Sequence, residues 1–265
     1  SGGNTPAITS FYLYNDRAKK GQMYIAELML EDRNDGTTYA IPYTASSRSA
    51  TSAWKDLSGL GNHGTLSNGP RIGRNHYVAG STVYCDDGDD PPAIDFDGSN
   101  DYVEVSSNGS FNFASQTYTI SGWFKLNSSR SNDSVFFSYD HTAHSSPHYA
   151  AHFRIGTTNG ILFGWNDGSS YEALEKASAV SDNTWHHFAA TFKNGKQAVY
   201  IDGDEAATST HSDTITFYSQ EVWIGKGNYG GYFNGKIATA QFYNTVLSHQ
   251  QVKEIYNSQR SRFGL

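Results

Sequence analysis

Apolar residues fall in short runs along the chain, and most of the runs alternate with polar positions. Trp185–Phe192 and Gln197–Ile201 flank Asn194-Gly195. Asn-Gly readily takes the positive φ values of a tight primed turn, so the segment predicts a β-hairpin. Phe188, Ala190 and Phe192 fall on one face of its first strand, while Trp185 and Ala189 fall on the other. Apolar groups on both faces predict a central strand covered from both sides.

The same reading places strands at Ile94–Asp97, Tyr102–Val105, Thr117–Leu126, Ser134–Tyr139, His148–Ile155, Ile161–Trp165, Glu221–Gly225 and Gly235–Tyr243. Gly98-Ser99-Asn100 is expected to turn the chain so that Tyr102–Val105 runs back, and Thr157–Gly160 reads as a hairpin turn. Ile94 and Phe96 share one face, opposite Asp95 and Asp97. Tyr118, Ile120 and Gly122 alternate against Trp123. Ahead of these, residues 7–14 and Gln22–Leu30 read as two strands, too few for a stable sheet, so they must dock on the main domain, a neighbouring subunit or an upstream domain. Residues 44–51 are small and polar and read as a boundary. The expected organisation is therefore residues 1–45, a strand pair and linker that could close an upstream β domain, followed by a main domain over 46–265. Residues 54–70 carry repeated Gly and Asn and predict turns, anchored by Trp54 and Leu57. After the strands the period changes. Ser248 and Gln251 form a capping box ahead of Val252, Ile255 and Tyr256, predicting a short helix of two or three turns. Many short strands and one helix predict an all-β antiparallel sandwich.

Composition narrows the function classes. The 265 residues include Tyr 18, Phe 15 and Trp 5, enough aromatic side chain for a sizeable core. Cys85 is the single cysteine, so no intrachain disulfide forms. The net charge is -7 with no basic run, which argues against nucleic acid as a partner. No apolar run is long enough to insert across a membrane as a helix. The chain opens Ser-Gly-Gly rather than Met, so a larger parent protein is expected.

Candidate chemistry is sparse. Asp97, Asn100 and Asp101 offer hard oxygen ligands from one tight loop, which suits Ca²⁺; the competing reading is a turn whose side chains cap backbone amides. The acidic run at residues 85–92 is a second calcium candidate whose spacing does not match an EF-hand loop. His141, His144, His148 and His152 lie close in sequence. On one strand face, however, His148 and His152 would stand roughly 13 Å apart, too far to share one metal ion. His186 and His187 point to opposite faces. Glycoside hydrolysis needs two carboxylates at working distance, and Glu172 and Glu175, three residues apart, do not share a strand face. A Ser-His-Asp arrangement is left open, without a Gly-x-Ser-x-Gly elbow to suggest it. Two aromatic loops offer the stacking plane and adjacent hydrogen-bonding groups that sugars need: Trp165, Asn166, Asp167 and Tyr171, and a second set at Asn228, Tyr229 and Tyr232.

Five motifs occur in order: Trp54-Lys-Asp-Leu-Ser-Gly, Phe96-Asp-Gly-Ser-Asn-Asp-Tyr-Val-Glu-Val, Tyr118-Thr-Ile-Ser-Gly-Trp-Phe-Lys, Trp185-His-His-Phe-Ala-Ala-Thr-Phe-Lys-Asn-Gly with its following Tyr-Ile-Asp-Gly, and Phe233-Asn-Gly-Lys-Ile with Phe242-Tyr-Asn-Thr-Val-Leu-Ser. Through them, residues 54–256 resemble the concanavalin A-like lectin/glucanase superfamily in its laminin G-like and pentraxin-like branch. The resemblance implies a two-sheet antiparallel jelly roll with ligand-binding loops. It also implies a non-catalytic module that recognises carbohydrate at a cell surface. The glucanase branch carries a Glu-x-Asp-x-Glu strand that is absent here. Relatives often carry Asp after Gly-x-Ile, where this chain has Ala238, which weakens the calcium reading. The Asp56-Leu-Ser-Gly-x-Gly-Asn-x-Gly-Thr-Leu form resembles versions common in phage structural and tail proteins. Met23–Glu31 with Tyr39–Tyr43 resembles the closing strand of carbohydrate-binding jelly rolls. The partners so implied are a glycan or other cell-surface ligand, and further copies of the chain or virion neighbours, on an extracellular or virion surface. A structural fibre or capsid decoration protein without a sugar ligand is the alternative.

Overall fold

The computed structural model describes residues 8–12, 54, 56, 58, 60, 62–72, 76–78, 81–83, 91, 93–106, 111, 115–128, 130–140, 149–167, 169–215, 221–227 and 231–265. Two antiparallel sheets pack face to face. One runs β15 (Asp204–Thr210), β14 (Lys196–Ile201), β13 (Trp185–Lys193), β8 (Thr117–Leu126), β17 (Asn234–Tyr243), β6 (Ile94–Asp97), β3 (Arg71–Ile72), with β1 (Ile8–Tyr12) also on β17. The other runs β12 (Tyr171–Lys176), β11 (Ile161–Asn166), β10 (Tyr149–Ile155), β9 (Ser134–Asp140), β16 (Val222–Ile224), β7 (Tyr102–Val105), β2 (Gly64–Ser67). A small ribbon pairs β4 (His76–Val78) with β5 (Ser81–Val83). This is the concanavalin A-like jelly-roll sandwich.

The Asn194-Gly195 hairpin forms as its sequence dictates, with φ 47° and 80° at the two turn residues. Its first strand, β13, lies inside the sheet between β14 and β8. Phe188, Ala190 and Phe192 enter the core between the sheets. Ala189 and Trp185 face outward, under α1 (His249–Gln259) and the 3₁₀ turn Arg260–Phe263. There Trp123 stacks on Phe263 with centroids 3.9 Å apart and on Tyr256 at 5.7 Å. The outer face of the eight-stranded sheet is thus a second, aromatic core. The predicted capping box is present: Ser248 accepts from the Gln251 amide, and Gln251 reaches back to the Ser248 N–H.

Two differences from the sequence reading have physical causes. Gly98-Ser99-Asn100 does not make a hairpin; β6 belongs to one sheet and β7 to the other, so the turn carries the chain across the sandwich. Residues 54–70 are not all turn, because β2 pairs with β7 and Trp54, 1% exposed, bridges Gly64. The first strand finds its partner within the chain. β8 occupies one edge of β17, and β1 and β6 share the other, over Thr239–Tyr243 and Asn234–Ile237 respectively. The second N-terminal strand, the boundary at 44–51, Leu57 and the acidic run around Cys85 lie outside the described residues.

Candidate functional site

Among the described residues α1 and the 3₁₀ turn cover part of the outer face of the eight-stranded sheet, and the outer face of the seven-stranded sheet carries no such helix. Val103, Val105, Val222, Ile224, Phe137, Phe153 and Phe163 turn into the core. Strand alternation therefore sends their neighbours outward. Register lines up Glu104, Trp223, Ser138, His152, Gly164 and Ala173 as one cross-strand row. The middle of that row is closed over. The Tyr171 hydroxyl lies above Gly164, where a Cβ would collide with it. That hydroxyl is 3.5 Å from His152 Nδ1. Gly227 packs against the same ring from the other side. Lys226 places its ammonium 4.1 Å from the Trp223 ring centroid and 4.2 Å from that of Tyr102, and Glu104 accepts from the Trp223 indole N–H.

The two aromatic loops picked out in the sequence therefore converge on His152. Tyr171 arrives from one, and Gly227, at the start of the other, lies on the Nε2 side of the ring. Tyr171 is 42% exposed along its ring, yet burial of its hydroxyl end pushes the pKa up to about 12. The neighbouring Arg154 opposes that shift and Glu175 adds to it. The phenol is therefore a neutral donor and acceptor. Tyr232 is half-buried and its backbone bridges Lys226. Asn166 is buried on the same outer face. Asp167 forms an Asx turn; the Ser170 and Ser169 amides donate to its carboxylate and hold its pKa below the usual range.

One assignment is corrected. Trp165 belongs to the strand that the Ile161–Trp165 run predicts and not to the aromatic loop: it ends the Ile161, Phe163, Trp165 alternation inside β11, is 0% exposed and meets Phe192 edge-on at 5.1 Å. It offers no face to a sugar at the outer surface. Asn228, Tyr229, His141, His144 and His148 lie outside the described residues.

The remaining candidates are tied into the fold. Asp97 accepts from the amides of Ser99 and Asn100, and Asp101 accepts from Asp97 N–H. These carboxylates thus serve the turn between the sheets, and Asn100 contributes backbone contacts, its carbonyl accepting from Asn68. Ala238, which replaces the Asp of relatives, is fully buried among Trp123, Trp185 and Phe263. Among the described residues no three His, Cys, Asp or Glu side chains come together as a metal site. His186 and His187 do point apart. His186 Nδ1 lies 2.8 Å from Asp202, and its Nε2 lies 3.0 Å from Ser181 Oγ. Those are Ser-His-Asp distances, but Ser181 N–H also donates to Nε2 at 3.0 Å. The lone pair a general base needs is already engaged, and Asp202 also accepts from His187 N–H. The trio fastens the Asp202-Gly203 turn to β13.

A family model for the concanavalin A-like lectin/glucanases superfamily matches residues 97–253, more than half of the chain. The chain belongs to that superfamily. Solved structures share its fold at low identity. Domain 4 of AbnA, a GH43 extracellular arabinanase from Geobacillus stearothermophilus, in complex with arabinotriose, is 20% identical with a TM-score of 0.54, covering 76% of this chain and 91% of that one. The receptor binding domain of botulinum neurotoxin mosaic serotype C/D is 15% identical with a TM-score of 0.56, covering 77% and 48%. The binding domain of botulinum neurotoxin DC in complex with SialylT is 17% identical with a TM-score of 0.52, covering 77% and 48%. The chain spans about half the length of those neurotoxin structures. A search of curated proteins found no match. Among the described residues no helix is long and apolar enough to cross a membrane.

Proposed function

We propose that the chain is a non-catalytic module that binds carbohydrate at a cell surface, outside the cell, as an adhesion component of a phage or bacterial surface assembly. The observation that carries this reading is the outer-face row from Glu104 to Ala173, flanked by Tyr171 and Trp223. Tyr171 offers an exposed ring for stacking and a neutral hydroxyl, with the half-buried Glu104 and Ala173 at the ends of the row, while His152 and Trp223 lie buried beneath and hold that surface in shape. That is sugar-binding chemistry. A similar domain in complex with arabinotriose supports the substrate class, and the phage-like form of residues 56–66 supports the setting. A glycan array with the intact chain tests the reading, with Tyr171→Ala as the variant. Tyr171 is partly exposed on an edge strand, and circular dichroism of the variant confirms that it folds. Loss of its ring should weaken the best array ligand about 3- to 10-fold, the worth of one aromatic contact. An empty array, or a ligand held equally by Tyr171→Ala, refutes it.

A further inference from the structure

Five buried polar atoms gather at the seam where the two sheets meet along β12 and β15. Trp165 Nε1, both amide atoms of Gln197, Ser209 Oγ and His211 Nε2 find no hydrogen-bond partner among the described residues. Register and ring contacts bring them together. Gln197 stands opposite Phe192 on one side and Ser209 on the other. Phe192 meets Trp165, and the His211 ring centroid lies 6.0 Å from that of Trp165. Phe192 and Trp165 belong to the inter-sheet core, so Gln197, on the face of Phe192, points between the sheets. Gln197 is 2% exposed. Folded proteins rarely leave such groups unpaired, because each costs about 1–3 kcal/mol. One ion pair closes the seam: His211 Nδ1 and Glu172 Oε2 lie 2.8 Å apart, each side chain 23% exposed.

We propose that this seam is a second binding site, between the sheets, that takes a single neutral, hydroxyl-rich sugar residue. A primary amide presents a donor and an acceptor side by side and matches a vicinal diol. The indole N–H adds a donor, Ser209 adds a hydroxyl, and His211 Nε2 completes the set. The Glu172 carboxylate is already taken up by His211 Nδ1, and the open atoms are an amide, a hydroxyl and ring nitrogens, so an uncharged polyol fits better than an ion. Both flanking strands are sheet edges, so the seam opens without breaking a central ladder. The site is separate from the outer face, because Trp165 and Tyr171 lie on opposite sides of the seven-stranded sheet.

Saturation-transfer NMR and calorimetry on the intact chain, with glucose, galactose, xylose and arabinose as probes, test the proposal. At least one monosaccharide should bind the wild type. Gln197→Met removes both amide atoms while keeping side-chain length, and should weaken that binding about 10-fold or more, as loss of a bidentate contact does. Ser209→Ala, on the exposed edge strand, should weaken it too. A monosaccharide whose affinity falls with Tyr171→Ala but not with Gln197→Met sits on the outer face and counts against the seam. The proposal is overturned if no probe binds, if Gln197→Met and Ser209→Ala bind like the wild type, or if crystals soaked with the probes show ordered water alone on these atoms.

Discussion

His187 makes the protein acid-sensitive in a way that one substitution can isolate. Its ring is fully buried between β13 and α1, 5.3 Å from Trp123 and 6.2 Å from Tyr256. Neither ring nitrogen has a partner among the described residues. Burial pushes its pKa down to about 4, against the pull of the Asp202 carboxylate in the other direction. In the unfolded chain the same histidine titrates near 6.5. The unfolded state therefore binds a proton first. Stability from this residue is complete above pH 6.5, declines as pH falls, and levels off below about pH 4. Between about pH 7.5 and about pH 5 the loss is about 2 kcal/mol, and about 3 kcal/mol at the acid limit. Urea unfolding at the two pH values, for the wild type and for His187→Leu, measures it. Leucine cannot titrate and fills the apolar site. The wild type should lose about 2 kcal/mol more than the variant over that interval. Equal losses, within about 0.5 kcal/mol, would refute the idea that a neutral imidazole is locked under the helix.

Two further predictions concern backbone positions. Gly122→Ala would drive a Cβ into the Thr239 carbonyl and the Phe136 ring; thermal unfolding should show a loss of about 3 kcal/mol, the upper range for overpacking. Asp101→Ala removes the acceptor for Asp97 N–H and should cost about 1–3 kcal/mol. Because these carboxylates already serve amides, calcium should leave the wild-type melting temperature unchanged; a rise that Asp101→Ala abolishes would put Ca²⁺ at this turn.

How much of this was legible depends on the range over which each feature is determined. The hairpin at Asn194-Gly195 and the cap at Ser248 are local devices, decided within a few residues, and both could be read directly. β12 and β15 could not. Tyr171–Lys176 carries two Glu and a Lys, and Asp204–Thr210 is Asp and Glu followed by Ala, Thr and Ser, because edge strands have only one face to bury. Trp165 was drawn into a loop by the turn residues that follow it, although its parity with Ile161 and Phe163 already pointed inward. His152 as the meeting point of two loops depends on register across β9, β10 and β11, which no single stretch encodes. Trp223 was the recoverable signal: Val222 and Ile224 face in, so the indole between them must face out.

β17 also constrains how the molecule comes into being. It is the last strand in the sequence, yet it lies inside its sheet, gripped along one edge by β8 and along the other by β6 and β1. Residues 8–12 thus await partners at 239–243. During synthesis the eight-stranded sheet stays split, with two unpaired edges exposed, until residue 243 has been added. Assembly is then a late insertion of one strand between halves already made. Such sequence-distant pairing folds slowly and leaves open edges available to other chains. Aggregation during expression should therefore track the time spent before β17 docks rather than the stability of the finished sandwich.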